Sequence, residues 1–144
     1  MIGQALDFSC VAASCRMILA DQGVNIPEAF IREAAGVDAD GAFLSDLPQA
    51  ITNLSNMVEA PNLASFEFNN QQTIDQLQAA LSNGSAIVSV STDLTGGSHA
   101  VVVDRIEGGS VFVRDPLPVG IGTSQSIPIA DFATFFTGNV VSRL

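Results

Sequence analysis

The chain has 144 residues and a formal net charge of −10, from fifteen carboxylates against five arginines and no lysine. This length suits one domain, residues 1–144, with a sizeable core. A hydrophobic content of 47% with only 14% charged residues excludes an intrinsically disordered chain. A surface this acidic would repel phosphates, so we expect no nucleic-acid partner.

The start of the chain, MIGQALDFSC, lacks the basic segment and apolar run of a signal peptide. No apolar stretch approaches the length needed to cross a bilayer. We therefore expect no membrane insertion by this segment, and a cytoplasmic site of action.

The first half of the chain is predicted to be mainly helical. Ser9 is a suitable N-cap for a helix over residues 9–22, which carries an apolar stripe at helical spacing: Val11, Cys15, Ile18 and Leu19. Further helices are predicted over 27–35, 45–54 and 73–82, and a short strand over 65–69 with both Phe residues on one face.

The second half is predicted to be mainly strands. A strand over 86–91 is followed by a hairpin, in which strands 98–106 and 110–115 flank the turn 107–109. A short helix is predicted over 131–136 and a final strand or tail from residue 139. This order of elements predicts an α+β domain with N-terminal helices packed on a mostly antiparallel sheet.

Two cysteines, Cys10 and Cys15, lie in the stretch GQALDFSCVAASC, residues 3–15. A separation of five places them about 140° apart around a helix, too far to share an ion or form a disulfide. Zinc needs three or four good ligands, and the chain has only these cysteines and one histidine. We therefore expect no metal and no cofactor.

The two cysteines have different expected roles. Cys15 lies on the apolar stripe and is explained as a small buried side chain. Cys10 lies on the first helical turn, away from the stripe, where the helix dipole and free N–H groups favour a thiolate. Cys10 is therefore a candidate nucleophile, and His99 is the only histidine that can act as its base.

The hairpin supplies a candidate carboxylate for His99. With a three-residue loop at 107–109, Asp115 lies opposite Val101, the same-face neighbour of His99, and within reach of the imidazole. Asp104 is the alternative, but strand alternation places it on the opposite face. A strand-end residue before a proline is the simpler explanation of Asp115, and it stays open.

The ordered set of Gln4, Cys10, the helical Met17-Ile18-Leu19, "SHAVVVD" (98–104) and "VRDP" (113–116) resembles the bacteriocin-processing peptidases. These are papain-like cysteine peptidases that cut after double-glycine leader sequences. The resemblance covers nearly the whole chain and implies the papain-like fold.

The resemblance also implies roles for single residues. Cys10 would be the nucleophile, His99 the general base and acid, and Asp115 the residue that orients the imidazole. Gln4 would donate to the oxyanion, together with the Cys10 backbone N–H. The chain departs from the family pattern at the nucleophile, where Ser9-Cys10-Val11 stands in place of Asp-Cys-Gly.

The function expected first is a cysteine endopeptidase that cleaves after small, Gly-Gly-like residues and serves as a bacterial toxin effector domain. Its partners would be a protein or peptide substrate and an immunity protein or inhibitor. The alternatives are leader processing in a bacteriocin export system, deamidation or acyl transfer by the same site, and an inactive peptide-binding domain.

Overall fold

The computed structural model describes residues 10–36, 44–58, 64–91 and 98–144. The helices are α1 (Cys10–Asp21), α2 (Glu28–Ala35), α3 (Leu47–Met57), α4 (Ile74–Ala80) and α5 (Ile129–Phe135). Short 3-10 turns, Leu44–Asp46 and Leu81–Asn83, precede α3 and follow α4. The strands are β1 (Phe66–Asn69), β2 (Ala86–Ser91), β3 (Ser98–Glu107), β4 (Ser110–Asp115), β5 (Thr123–Pro128) and β6 (Phe136–Arg143).

The strands form one six-stranded sheet in the order β1-β6-β2-β3-β4-β5, and every neighbouring pair is antiparallel. The predicted α+β architecture is confirmed. None of the helices within the described ranges is long and apolar enough to cross a bilayer.

Helices cover both faces of this sheet. Residues of α1, α2 and α3 pack on one face against Ile87, Ala100 and Val102. Leu77 of α4 and Phe132 of α5 pack on the other face. Every residue of β2 from Ala86 to Val90 is therefore buried, and this explains its nearly continuous apolar sequence.

Helix α1 is buried more completely than its predicted stripe implies. Ala12, Ala13 and Ser14 are fully buried together with the stripe residues. These small side chains let the helix backbone lie close to β3 on one side and to α2 on another. Cys10, although it lies away from the stripe, is half-buried against this core.

The hairpin between β3 and β4 differs from the predicted one at its turn. Glu107 pairs with Ser110, so the loop has two residues, Gly108 and Gly109, both with positive φ as a tight primed turn requires. A bulge between Val103 and Arg105 then adds one residue to β3.

The bulge restores the predicted register near the far end of the hairpin. Val103 pairs with Val113 and Val102 with Arg114, which is the register expected from a three-residue loop. The shorter turn and the bulge therefore offset each other, and the strands have the predicted register at the end of the hairpin next to Asp115.

Strand β5 is not predicted from the sequence. Its residues, TSQSIP, are mostly polar and exposed, and they pair only with β4 at the edge of the sheet. An edge strand with so little burial has no apolar alternation to reveal it.

Candidate active site

Cys10 is the first residue of α1. The backbone N–H groups of a first helical turn have no partners within the helix and form the positive end of its dipole. The Cys10 thiol therefore lies where a negative charge is stabilised.

His99 is the second residue of β3 and pairs with Val90 of β2 in the middle of the sheet. Its side chain is only 11% exposed. Nε2 of the imidazole lies 2.6 Å from Oδ1 of Asp115, a short hydrogen bond that fixes the ring. Nδ1 is then the ring nitrogen left for Cys10.

Asp115 is the last residue of β4 and is itself held in place. Its Oδ1 accepts a second hydrogen bond, 2.9 Å long, from the backbone N–H of Leu117. This contact fixes the carboxylate after the strand has ended, so Asp115 can in turn fix the imidazole.

The Cys10 thiol interacts with His99, and this interaction shifts the pKa of both groups. Burial alone would raise the pKa of the Cys10 thiol. The His99 hydrogen bond, the N–H groups of Ala100 and Val11 and the nearby imidazolium charge outweigh burial, and the pKa is lowered below its ordinary value.

The pKa of His99 shifts in the opposite direction. Burial would lower it, but the hydrogen bonds to Asp115 and Cys10 and the negative charges of both groups raise it to about 9. The two shifts together favour a thiolate beside an imidazolium over the neutral pair.

Gln4, expected to donate to the oxyanion, lies outside the described residues, as does the expected N-cap Ser9. The structure thus brings together Cys10, His99 and Asp115 of the four expected site residues.

Asp104, the alternative carboxylate, does not contact His99. It accepts hydrogen bonds from Ser85 and from Arg114, which also donates to Asp21 at the C-terminal end of α1. Strand alternation puts Asp104 on the same face of β3 as Ala100 and Val102, which pack in the core that contains α1. Val101 packs in the core on the other face of the sheet. The expected placement of Asp104 on the other face of β3 is confirmed.

Ser14 is a supporting residue that the sequence did not single out. It lies one turn after Cys10, is fully buried, and donates from Oγ to the carbonyl of Ala100 at 3.3 Å. The bond joins α1 to β3 beside His99. The only sequence signal was a hydroxyl within the small-residue run CVAAS, four residues from Cys10.

In the part of the chain that the structure describes, no three His, Cys, Asp or Glu side chains come together as a metal site would require. A thiol, an imidazole and a carboxylate brought together suit nucleophilic attack on a carbonyl.

The fold is shared with several solved peptidase domains. The peptidase domain of Streptococcus ComA, described as a bifunctional ABC transporter involved in quorum sensing, aligns with a TM-score of 0.78 and 18% identity over 99% of this chain and 95% of that one. A double-glycine-motif protease from an AMS/PCAT transporter, solved with its leader peptide, aligns with a TM-score of 0.75 and 23% identity over 99% and 89%.

A third similar structure is the N-terminal C39-like peptidase domain of a toxin secretion ATP-binding protein from Vibrio parahaemolyticus. It aligns with a TM-score of 0.66 and 16% identity over 97% of this chain and 100% of that one. No curated protein matches this chain by sequence.

The sequence model of the peptidase C39 family matches residues 1–143. The resemblance to double-glycine leader peptidases and the prediction of a cysteine peptidase are both confirmed by this match and these structures. A peptidase takes a peptide or protein as its substrate. The chain belongs to the peptidase C39 family of cysteine peptidases.

Proposed function

We propose that this domain, residues 1–144, is a cysteine endopeptidase that processes leader peptides by cleaving after a Gly-Gly-like pair, with Cys10 as nucleophile. The observation that carries the proposal is that Asp115 holds the His99 imidazole by a 2.6 Å hydrogen bond while the same imidazole interacts with the Cys10 thiol. The leader peptide bound to the 23% identical transporter protease supports a substrate of this kind.

In the first half of the reaction the Cys10 thiolate attacks the carbonyl carbon of the scissile bond. Negative charge develops on the carbonyl oxygen, where the Cys10 backbone N–H and the Gln4 side-chain amide would donate hydrogen bonds. The His99 imidazolium gives its proton to the leaving nitrogen, the C–N bond breaks, and the leader remains on Cys10 as a thioester.

In the second half a water molecule attacks the thioester carbonyl. His99, now neutral, takes a proton from the water and becomes the imidazolium again, and the Cys10 thiolate leaves. Asp115 keeps Nε2 protonated throughout, so that Nδ1 faces the reacting atoms in both steps.

Leader processing is preferred to the toxin-effector role that was expected first from the sequence. The family match and the transporter-linked peptidase domains favour export processing. No observation on the chain favours an immunity protein as partner.

A cleavage assay tests the activity. A synthetic peptide with a Gly-Gly pair should be cut after the second glycine, and the same peptide with Leu-Leu at that place should resist. Cys10→Ala should lower the rate by about 10³-fold or more, because the nucleophile is lost. Cys15→Ala is the matched control and should keep the activity.

The products separate the related chemistries. Mass spectrometry distinguishes chain cleavage from replacement of a side-chain amide by a carboxylate and from transfer of the acyl group to an added amine. An intact Gly-Gly peptide with either of the other products would overturn the peptidase proposal.

Alkylation tests the activated thiol without any substrate. Iodoacetamide should modify Cys10 far faster than the fully buried Cys15, whose pKa burial raises to about 12. His99→Ala should remove this difference. Equally slow labelling of both cysteines in the unaltered protein would contradict the assigned nucleophile.

A further inference from the structure

The loop between β4 and β5, residues 116–122, exposes an unusual amount of apolar surface. Leu117 is 37% exposed, Val119 40% and Ile121 72%. They are three of the seven exposed large hydrophobic residues among the described ranges. The loop sequence, PLPVGIG, contains no charged or hydrogen-bonding side chain in a chain of net charge −10.

The backbone of the β4–β5 loop is held by hydrogen bonds within the loop. The Pro118 carbonyl accepts from the N–H of Ile121 at 3.1 Å and of Gly122 at 2.9 Å. Thr123 closes the loop by donating from Oγ1 to the Leu117 carbonyl at 2.9 Å. These hydrogen bonds join the two ends of the loop, and its three large apolar side chains stay exposed to solvent.

The β4–β5 loop begins next to the reacting groups. Leu117 N lies 2.9 Å from Oδ1 of Asp115, and the same oxygen lies 2.6 Å from Nε2 of His99. The first residues of the loop are thus two hydrogen bonds away from the imidazole. A peptide that crosses Cys10 needs only a few extended residues, about 3.3 Å each, to reach the exposed side chains.

The chemistry decides which part of the substrate lies there. The imidazole must approach the leaving nitrogen to protonate it, so the residues that follow the scissile bond leave on the His99 side of Cys10. Asp115 and the β4–β5 loop extend from that side.

We propose that Leu117, Val119 and Ile121 bind apolar side chains in the first residues after the cleaved bond, and so select the cargo rather than the leader. This inference rests on the proposed peptidase function. The occupant is apolar and not basic because the loop has no carboxylate, and Asp115 already accepts from His99 and Leu117.

The test uses wild-type protein and two peptides that share one leader and Gly-Gly pair. One continues with Ile-Val-Leu and the other with Ser-Ser-Ser. The wild-type protein should cleave the apolar peptide with a kcat/KM about 10-fold higher, the scale set by one or two buried aliphatic groups. Equal rates on both peptides would overturn the inference while leaving the peptidase proposal intact.

Variants then locate the preference. In the double variant Val119→Ser, Ile121→Ser, the kcat/KM for the apolar peptide should fall to within about 2-fold of that for the serine peptide. Leu144→Ser is the matched control, since Leu144 is 66% exposed but lies beside Ser65 at the β1 edge, opposite β5.

A preference that survives the double variant would also overturn the inference. Both positions are exposed, and circular dichroism checks that the variants fold. Failure to cleave either peptide would overturn the peptidase proposal and this inference with it.

Discussion

Helix α1 meets the β3–β4 hairpin at both of its ends, and at each end a basic side chain lies between two acidic groups. At the N-terminal end His99 lies between Cys10 and Asp115. At the C-terminal end Arg114 lies between Asp21 and Asp104. The pairs across the hairpin are reciprocal, because His99 of β3 binds Asp115 of β4 and Arg114 of β4 binds Asp104 of β3.

The basic side chain makes the two ends differ in chemistry. The imidazole of His99, with a pKa of about 9, can give up and regain a proton. An arginine does not lose its proton in proteins. Burial alone would lower the pKa of Arg114, but the hydrogen bonds and the negative charges of Asp21 and Asp104 raise it. The N-terminal end can therefore carry out acid–base chemistry, whereas the C-terminal end can only hold the helix against the hairpin.

The helix dipole adds to this difference. It stabilises the Cys10 thiolate at the N-terminal end and opposes the charge of Asp21 at the C-terminal end. Arg114 offsets that unfavourable charge through two hydrogen bonds to Asp21, of 3.1 and 2.6 Å.

The largest effect is expected from a change at the reactive end. Asp115→Asn should lower kcat by about 10²- to 10⁴-fold, because the imidazolium loses its counter-charge and its fixed tautomer. The alkaline limit of kcat/KM, expected near pH 9 where His99 loses its proton, should move to lower pH. A pH–rate profile measures both effects.

The matched control is Asp131→Asn, which makes the same substitution at an exposed carboxylate of α5. It should change neither kcat nor the alkaline limit. An unchanged alkaline limit in Asp115→Asn would show that this carboxylate does not set the pKa of His99.

A smaller effect, on stability, is expected at the other end. Arg114→Met leaves Asp21 and Asp104 without their cation, and should lower the free energy of unfolding by about 2 kcal/mol. Urea denaturation measures this change. The alkaline limit of activity should stay that of wild type, since His99 keeps its own partners.

Arg105→Met is the control for the loss of one arginine. Arg105 is 57% exposed, pairs with the exposed Glu107 and stacks on Phe112, so we expect a loss below about 1 kcal/mol. Equal losses of unfolding free energy in Arg114→Met and Arg105→Met would mean that the ion pairs of Arg114 with Asp21 and Asp104 stabilise the protein no more than a surface ion pair does.

The smallest effect is expected from Asp21→Asn. Arg114 keeps Asp104, and the charge removed is one that the helix dipole disfavours, so stability should change by less than about 0.5 kcal/mol. Asp104→Asn should cost more, because Asp104 is less exposed than Asp21 and also accepts from Ser85. A larger loss for Asp21→Asn in the same urea experiment would reverse this order.

The local elements of the chain were predictable from sequence because their signals are local. The bounds of β2 and β4 agree with the predicted ones, and the capping box from Thr73 to Gln76 begins α4 where the pattern places it. Helix geometry alone also predicted that the side chains of Cys10 and Cys15 point in different directions around α1.

The sequence by itself determined the α+β class, the helix that begins at the candidate nucleophile, and the one histidine able to serve it. Only the tertiary structure decided the bulge that restores the register of Asp115, the burial of α1 on several sides, and the Arg114 cluster. These features depend on residues far apart in the chain, and local propensity carries no information about which of them meet. Strand β5 belongs with them, because only pairing with β4 makes its polar residues a strand.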